Sequence, residues 1–250
     1  MKIFHFQRLF LDAFKNSRLL KLTNGFFVAW NQEVTGNFEI SLFVRGGSPF
    51  EKEREEMNQS KRIKKMVTVG MLSGISYLLM WLSFPLPLLP PFLSVDFSDV
   101  PALLAAIIFG PVAGITVEAI KNILHYIVQG SMTGVPVGQL ANFTAGVLFI
   151  LPTYFIFNKI RTTKGLGLGL VVGTLSMAVF MSILNYYIFL PAFTYFLNVP
   201  TGSSAQMIEG IVKGILPFNI IKGLIVTFLF LLLYKKLAIW LDRQLEVKNV

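Results

Sequence analysis

Cysteine is absent from this 250-residue sequence, and histidine occurs only twice. The missing thiols exclude disulfides, zinc–cysteine centres and thiol nucleophiles. Two histidines give no spacing for a metal site. Charge is scarce too: 14% of residues are Asp, Glu, Lys or Arg, against about 25% in soluble domains. No G-x-x-x-x-G-K-[ST] phosphate loop occurs, so this chain is not expected to hydrolyse ATP itself. H-E-x-x-H, G-x-S-x-G and paired aspartate-rich clusters are missing as well, which leaves no catalytic set. There is no repeat of 20–50 residues and no low-complexity tract. Residues 1–22 mix Lys and Arg with Phe and Leu and lack the clean apolar core of a cleavable signal peptide.

What the chain has in quantity is apolar residues, 54% of the total. They gather after residue 57. Residues 1–57 hold 8 Lys+Arg and 7 Asp+Glu and no run long enough to cross a bilayer. Within them Lys2–Leu22 reads as a basic, Phe-rich amphipathic helix on a membrane surface. The Gly46-Gly47-Ser48-Pro49 stretch breaks structure, and Glu51–Glu56 is a charge run. The expected organisation is therefore an arm over 1–57 and a membrane domain over 58–250. The arm reads as poorly ordered. A second expectation is that it is not translated: the purine-codable run before Met57 resembles a ribosome-binding site, which makes Met57 the start.

A spanning helix needs about 20 mainly apolar residues. Six segments qualify or come close: Lys65–Phe84, Val100–Phe109, Val112–Val128, Val137–Phe157, Leu166–Leu190 and Gly214–Tyr234. The second is short, and is expected to tilt or to be extended by the preceding loop. Pro85, Pro87, Pro90 and Pro91 force an irregular connection after the first. Charge then tests the count. Lys61, Arg62, Lys64 and Lys65 precede span one. Lys159, Arg161 and Lys164 separate spans four and five, and Lys235, Lys236, Arg243 and Lys248 follow span six. The loops 85–99, 129–137 and 191–212 contain no Lys or Arg. Six spans put every basic group on one side, which the positive-inside rule makes cytoplasmic. The fold class is all-α, a polytopic bundle of six transmembrane helices with both termini cytoplasmic. The net charge of +9 then reads as topology and not as a nucleic-acid interface.

Polar groups inside such spans cost about 2.5–3.5 kcal/mol per charge at a helix centre, so they are functional candidates. They are Glu118, Lys121, Asn122, His125, Asn142, Asn185, Asn219 and Lys222. Glu118 and Lys121 stand three apart on one face, where they either neutralise each other or serve a function. His125 reads as interfacial. Asn219 and Lys222 share a face near the outer end of the last span, where Pro217 frees backbone carbonyls, and suit a neutral hydrogen-bonding solute. Asn185, Tyr186 and Tyr187 add polar and aromatic surface near the same end. Asp96 and Asp99 are a weak candidate for a metal site. Asp99 reads better as the N-cap of span two, ahead of Pro101 in the first turn. Gly70 and Gly74 form a small-xxx-small motif, used either for packing within the bundle or for docking another membrane subunit.

The stretches Phe97-Ser98-Asp99-Val100-Pro101-Ala102, Phe109-Gly110-Pro111, Glu118-Ala119-Ile120-Lys121-Asn122 and Asn219-Ile220-Ile221-Lys222 together resemble the riboflavin-specific S component of energy-coupling factor (ECF) vitamin transporters. The resemblance spans about residues 58–245. It implies a riboflavin pocket open to the outside and capped by the loop Pro85–Asp99. It places Asn219 and Lys222 in that pocket first, then Asn185, with Tyr186, Asn142 and Asp99 as further substrate contacts. It implies no catalysis, cofactor or resident metal. The partners it implies are a membrane coupling subunit and two cytoplasmic ATPases, with toppling in the membrane to release the vitamin. The docking motif in related S components is Ala-x-x-x-Ala on the first helix, and Gly70 and Gly74 stand there in this chain. Two rival classes remain open on the residues alone. One is a proton-coupled secondary transporter with Glu118 and Lys121 in its relay. The other is a lipid-modifying membrane enzyme with a metal on Asp96 and Asp99.

Overall fold

A computed structural model describes residues 26–31, 39–44, 49–87, 90, 93–200 and 202–247, with side chains described between 56 and 236. The amphipathic helix expected at Lys2–Leu22 lies outside the described residues. The chain divides into two compact units, residues 1–64 and 65–250. In the first, β1 (Phe26–Asn31) pairs antiparallel with β2 (Glu39–Val44). Helix α1 runs from Pro49 to Trp81.

Beyond α1, a two-residue ladder joins β3 (Phe84–Pro85) to β4 (Ser94–Val95) antiparallel. The proline-rich connection thus starts and ends in this ladder. Helix α2 (Asp99–Phe109) and α3 (Pro111–Gln129) follow, separated only by Gly110. Gly110 has φ +97°, a conformation that side chains with a Cβ rarely adopt, and Pro111 opens α3 with its preset φ. Phe109-Gly110-Pro111 is therefore a reversal, and it lays α3 back on α2. A Cβ on Gly114 would come within 2.7 Å of the Ala106 Cβ and 2.9 Å of the Ala102 carbonyl oxygen. Such contact needs small residues on both helices.

Helix α4 spans Val137–Ile160. Helix α5 begins at Thr163, passes through a π-turn at Asn185–Phe189 and ends at Leu197. Helix α6 begins at Ser204, passes through a π-turn at Ile211–Ile215 and continues to Val247. Each π-turn ends two residues before a proline, Pro191 in one case and Pro217 in the other. Proline cannot donate to the ladder and crowds the preceding turn. Widening that turn by one residue accommodates the ring, so the helix continues through it. This corrects the expected ends of the last two spans. The loop expected over 191–212 is largely helical, and Asn219 and Lys222 lie close to the middle of the Ser204–Lys236 stretch.

Among the described residues four stretches are long and apolar enough to cross a membrane: Glu56–Trp81, Val137–Ile160, Thr163–Leu197 and Ser204–Lys236. The outward surfaces are apolar as well, with Val112, Ile127, Phe155, Val171 and Phe228 all exposed. Helix α2 differs. Its 11 residues rise about 16 Å, roughly half the bilayer core. Nearly all of it is buried, so it is a central helix wrapped by the others. Helix α3 is long enough, but Glu118, Lys121 and Asn122 are buried on it.

The core joins Leu103 and Ile107 of α2 to Phe149 and Ile150 of α4, Leu166, Leu170 and Met177 of α5, and Val226 and Phe230 of α6. Helices α4 and α5 approach through glycine. A Cβ on Gly173 would lie 2.6 Å from the Phe149 carbonyl oxygen and closer still to the Thr153 hydroxyl, whereas nothing lies within 4 Å of one on Gly167. Gly173→Ala is accordingly expected to lower the thermal midpoint in detergent. Gly167→Ala is expected to leave it unchanged or raise it by the equivalent of about 0.5–1 kcal/mol. A matched pair of melting curves checks this.

Candidate functional site

The segment between β4 and α2 folds on itself. The Ser98 backbone N–H donates to Asp96 Oδ1 at 2.9 Å, and the Ser98 hydroxyl donates to the same oxygen. Ser76 on α1 ties this segment down by donating to the Ser98 carbonyl oxygen at 2.5 Å. Both aspartates end up buried, Asp99 almost completely. A buried carboxylate requires a cation, and two lysines from distant helices supply it.

Lys121 on α3 donates to Asp99 Oδ1 at 2.5 Å and to Ser98 Oγ at 2.6 Å, and lies 2.8 Å from Glu118 Oε1. Lys222 on α6 donates to Asn142 Oδ1 at 2.8 Å and lies 3.2 Å from Asp99 Oδ2 and 3.6 Å from Asp96 Oδ2. Asp99 thus bridges two ammonium groups, one on each oxygen. Glu118 and Lys121 are wholly buried. Among the described residues neither Glu118 carboxylate oxygen has a hydrogen-bond partner, and the carboxyl faces the Cα of Gly146, where a side chain would collide with it. Asn142 also donates to Asn122 Oδ1 at 3.4 Å, and Asn122 donates to the Glu118 carbonyl oxygen at 2.8 Å.

Five buried charges and two amides therefore form one connected cluster. Such a cluster is stable only if each ion keeps its partners, because one uncompensated buried charge costs several kcal/mol. The Ser98 hydroxyl, beside the Asp96 carboxylate and Lys121, is wholly buried and bonded to both, so it is not presented to a solute. The arrangement offers hydrogen bonding beside apolar walls, which suits capture of a polar, uncharged solute.

The expected site residues divide here. Asp99, Asn142 and Lys222 meet directly. Asn219 lies one turn before Lys222, buried, with its amide donating to the Ile215 carbonyl oxygen at 2.8 Å. That carbonyl belongs to the π-turn, so Asn219 braces the widened backbone. Asn185 opens the other π-turn and donates to the Met181 carbonyl oxygen at 2.7 Å. Tyr186 packs edge-on against Tyr187. Among the described residues neither Asn185 nor Tyr186 is hydrogen-bonded to the cluster. The capping role expected of Asp99 is corrected. Ser98 occupies the N-cap position without a side-chain cap, and Asp99 is the first helical residue. Its oxygens face the two lysines instead. His125 lies at the edge, with Nδ1 3.2 Å from the Gln139 amide nitrogen.

Sequence reasoning singled out Asp96, Glu118, Lys121 and Asn122 without placing them among the substrate contacts, and it missed Ser76, Ser98 and Gly146. A serine in an apolar helix gives no signal of a partner 22 residues away. Nothing lies within 4 Å of a Cβ built on Gly70 or Gly74.

The chain matches the family described as "ECF transporter, substrate-specific component" over residues 64–234. It belongs to that family. Among relatives, a Bacillus subtilis (strain 168) protein named riboflavin transporter FmnP is 56% identical over 183 residues, covering 73% of this chain and 96% of that protein. A Staphylococcus aureus (strain TCH60) protein named riboflavin transporter RibU is 45% identical over 190 residues, covering 76% and 98%. A solved structure of the S component of a bacterial ECF transporter is 46% identical, with a TM-score of 0.62 over 72% of this chain and 98% of that one. The chain is thus a transporter substrate-specific component and not an enzyme, and it is an all-α, multi-pass protein of the cell membrane. A lipid-modifying enzyme is thereby set aside, and a proton-coupled transporter is not favoured.

Proposed function

We propose that this chain captures riboflavin outside the cell and delivers it inward with an ATP-driven ECF module. The carrying observation is Lys222, a buried ammonium that meets Asn142 and Asp99. Its third contact, to Asp96, is 3.6 Å long, beyond hydrogen-bond range. Lysine has three donors, so one remains for a ligand carbonyl or hydroxyl. Riboflavin offers both, on a neutral ring system and a polyol tail. The relatives' names as riboflavin transporters support the same ligand.

In this reading Asn219 and Lys222 contact the flavin, Asn142, Asp99 and Asn185 complete the polar side, and Tyr186 adds aromatic surface. The segment 85–99 is the outer cap. The six segments all span, with α2 as a central short span and both termini cytoplasmic, because the basic groups then share one side. The partners are a membrane coupling subunit and two cytoplasmic ATPases, reached through the open face of Gly70 and Gly74. The purified protein is the test. Expressed in a flavin-producing host, it is expected to come out yellow, with the visible absorbance of riboflavin, or to bind added riboflavin saturably. A colourless protein that also fails to bind added riboflavin overturns the reading.

A further inference from the structure

Lys121 is the largest wholly buried side chain among the described residues, yet it is badly placed to touch a ligand. Its ammonium donates to Ser98 Oγ and Asp99 Oδ1 and lies 2.8 Å from Glu118 Oε1, so buried oxygens of this chain surround it. What Lys121 does reach is Asp99, whose other oxygen faces Lys222. Lys121 in turn rests on Glu118, one turn earlier on α3, and the Glu118 carboxyl sits in the space left by the missing side chain of Gly146 on α4. A Cβ there would lie 2.8 Å from Oε1 and nearer still to Cδ and Oε2. These contacts form one chain, from Gly146 through Glu118, Lys121 and Asp99 to Lys222.

We propose that Lys121 is a positioning residue for Lys222, acting through Asp99, and that Glu118, seated against Gly146, holds Lys121 in place. The inference rests on the reading of Lys222 as a flavin contact. Lys222 projects from a single helix on a flexible four-carbon stem, and such a side chain keeps one position only when its partners are themselves fixed. Asp99 is fixed because Lys121 grips its second oxygen. The excess of three buried acids over two lysines is then understandable. Glu118 is there to hold Lys121, and does not itself touch Lys222 within ion-pairing distance.

Gly146→Ala tests this without altering any charge. It pushes the Glu118 carboxyl aside and disturbs Lys121 through it. Riboflavin fluorescence titration of the full chain in detergent is expected to show about tenfold weaker binding in Gly146→Ala, and at least as large a loss in Lys222→Met. With both changes together, Gly146→Ala is expected to add less than twofold, because the group it positions is gone; such non-additivity marks residues acting through one another. Equal losses from Gly146→Ala with and without Lys222 overturn the inference and leave the riboflavin site standing. Unchanged affinity in Lys222→Met alone overturns the site and the inference together. If Gly146→Ala does not accumulate as folded protein, Lys121→Arg, which keeps the charge but changes the reach, takes its place in the same cycle with the same expected outcomes.

Discussion

Lys222→Ala is expected to weaken riboflavin binding by about 1–3 kcal/mol, the cost of leaving a buried hydrogen-bonding partner unmet, or roughly 5- to 150-fold in Kd. Two effects contribute. The flavin loses a donor. In addition Asp96 and Asp99 lose the one lysine they share, so Asp99 keeps only its contact with Lys121. The second effect costs fold stability as well, because breaking a buried ion pair leaves an uncompensated charge. Affinity is therefore to be measured on the monodisperse fraction, alongside its melting curve. Asn219→Ala separates the terms. It removes no charge, and its amide braces the Ile215 carbonyl, so its loss is expected to weaken binding by about 1 kcal/mol or more with a smaller change in midpoint. Unchanged flavin affinity in both variants sinks the assignment of the site to α6.

The second large effect is one of transport without binding. Gly70→Leu or Gly74→Leu is expected to leave riboflavin affinity of the isolated chain within about twofold and to abolish uptake by cells that carry the complete transporter. The physical basis is the open space around both glycines. A Cβ at either position has nothing within 4 Å, so the substitution is expected to leave the pocket undisturbed. The neighbours on this face of α1 are also exposed and apolar: Met71, Ile75 and Leu78. In a membrane, where lipid tails are as apolar as leucine, helices associate by close approach of small residues. A leucine's bulk on that face prevents the approach. Loss of flavin binding in these variants, in place of loss of uptake, would show that the stripe supports the bundle and is not a docking face.

How much was legible in advance follows from the range of each signal. Apolar runs and loop charges are local, so the cores of the long helices could be read directly, and Phe109-Gly110-Pro111 announced its reversal by composition. The Glu118–Lys121 pair was legible for the same reason, since three residues on a helix make neighbours. The outer ends of α5 and α6 were not. A proline normally ends a helix, and only the π-turns at Asn185–Phe189 and Ile211–Ile215 carry the backbone past Pro191 and Pro217. Asp99 was misread as a cap because position before a proline-containing first turn is local information. Its partners are not local: Lys121 is 22 residues away, and Lys222 lies on the last helix.

The sequence by itself determined that this is a membrane bundle and which few polar residues stand out in its apolar runs. Burying a charge in an apolar run is too costly to be idle, so those residues stand out without any fold. Tertiary structure alone decided what they are used for. It brought Asp96 and Asp99 from the connection, Lys121 from α3, Asn142 from α4 and Lys222 from α6 into one cluster, with Asn142 and Lys222 separated by 80 residues in the chain. Ion pairs have no periodicity in sequence. Their partners are set by which helices pack together, and that is decided by the glycine and alanine contacts that let α2, α3, α4 and α5 approach one another.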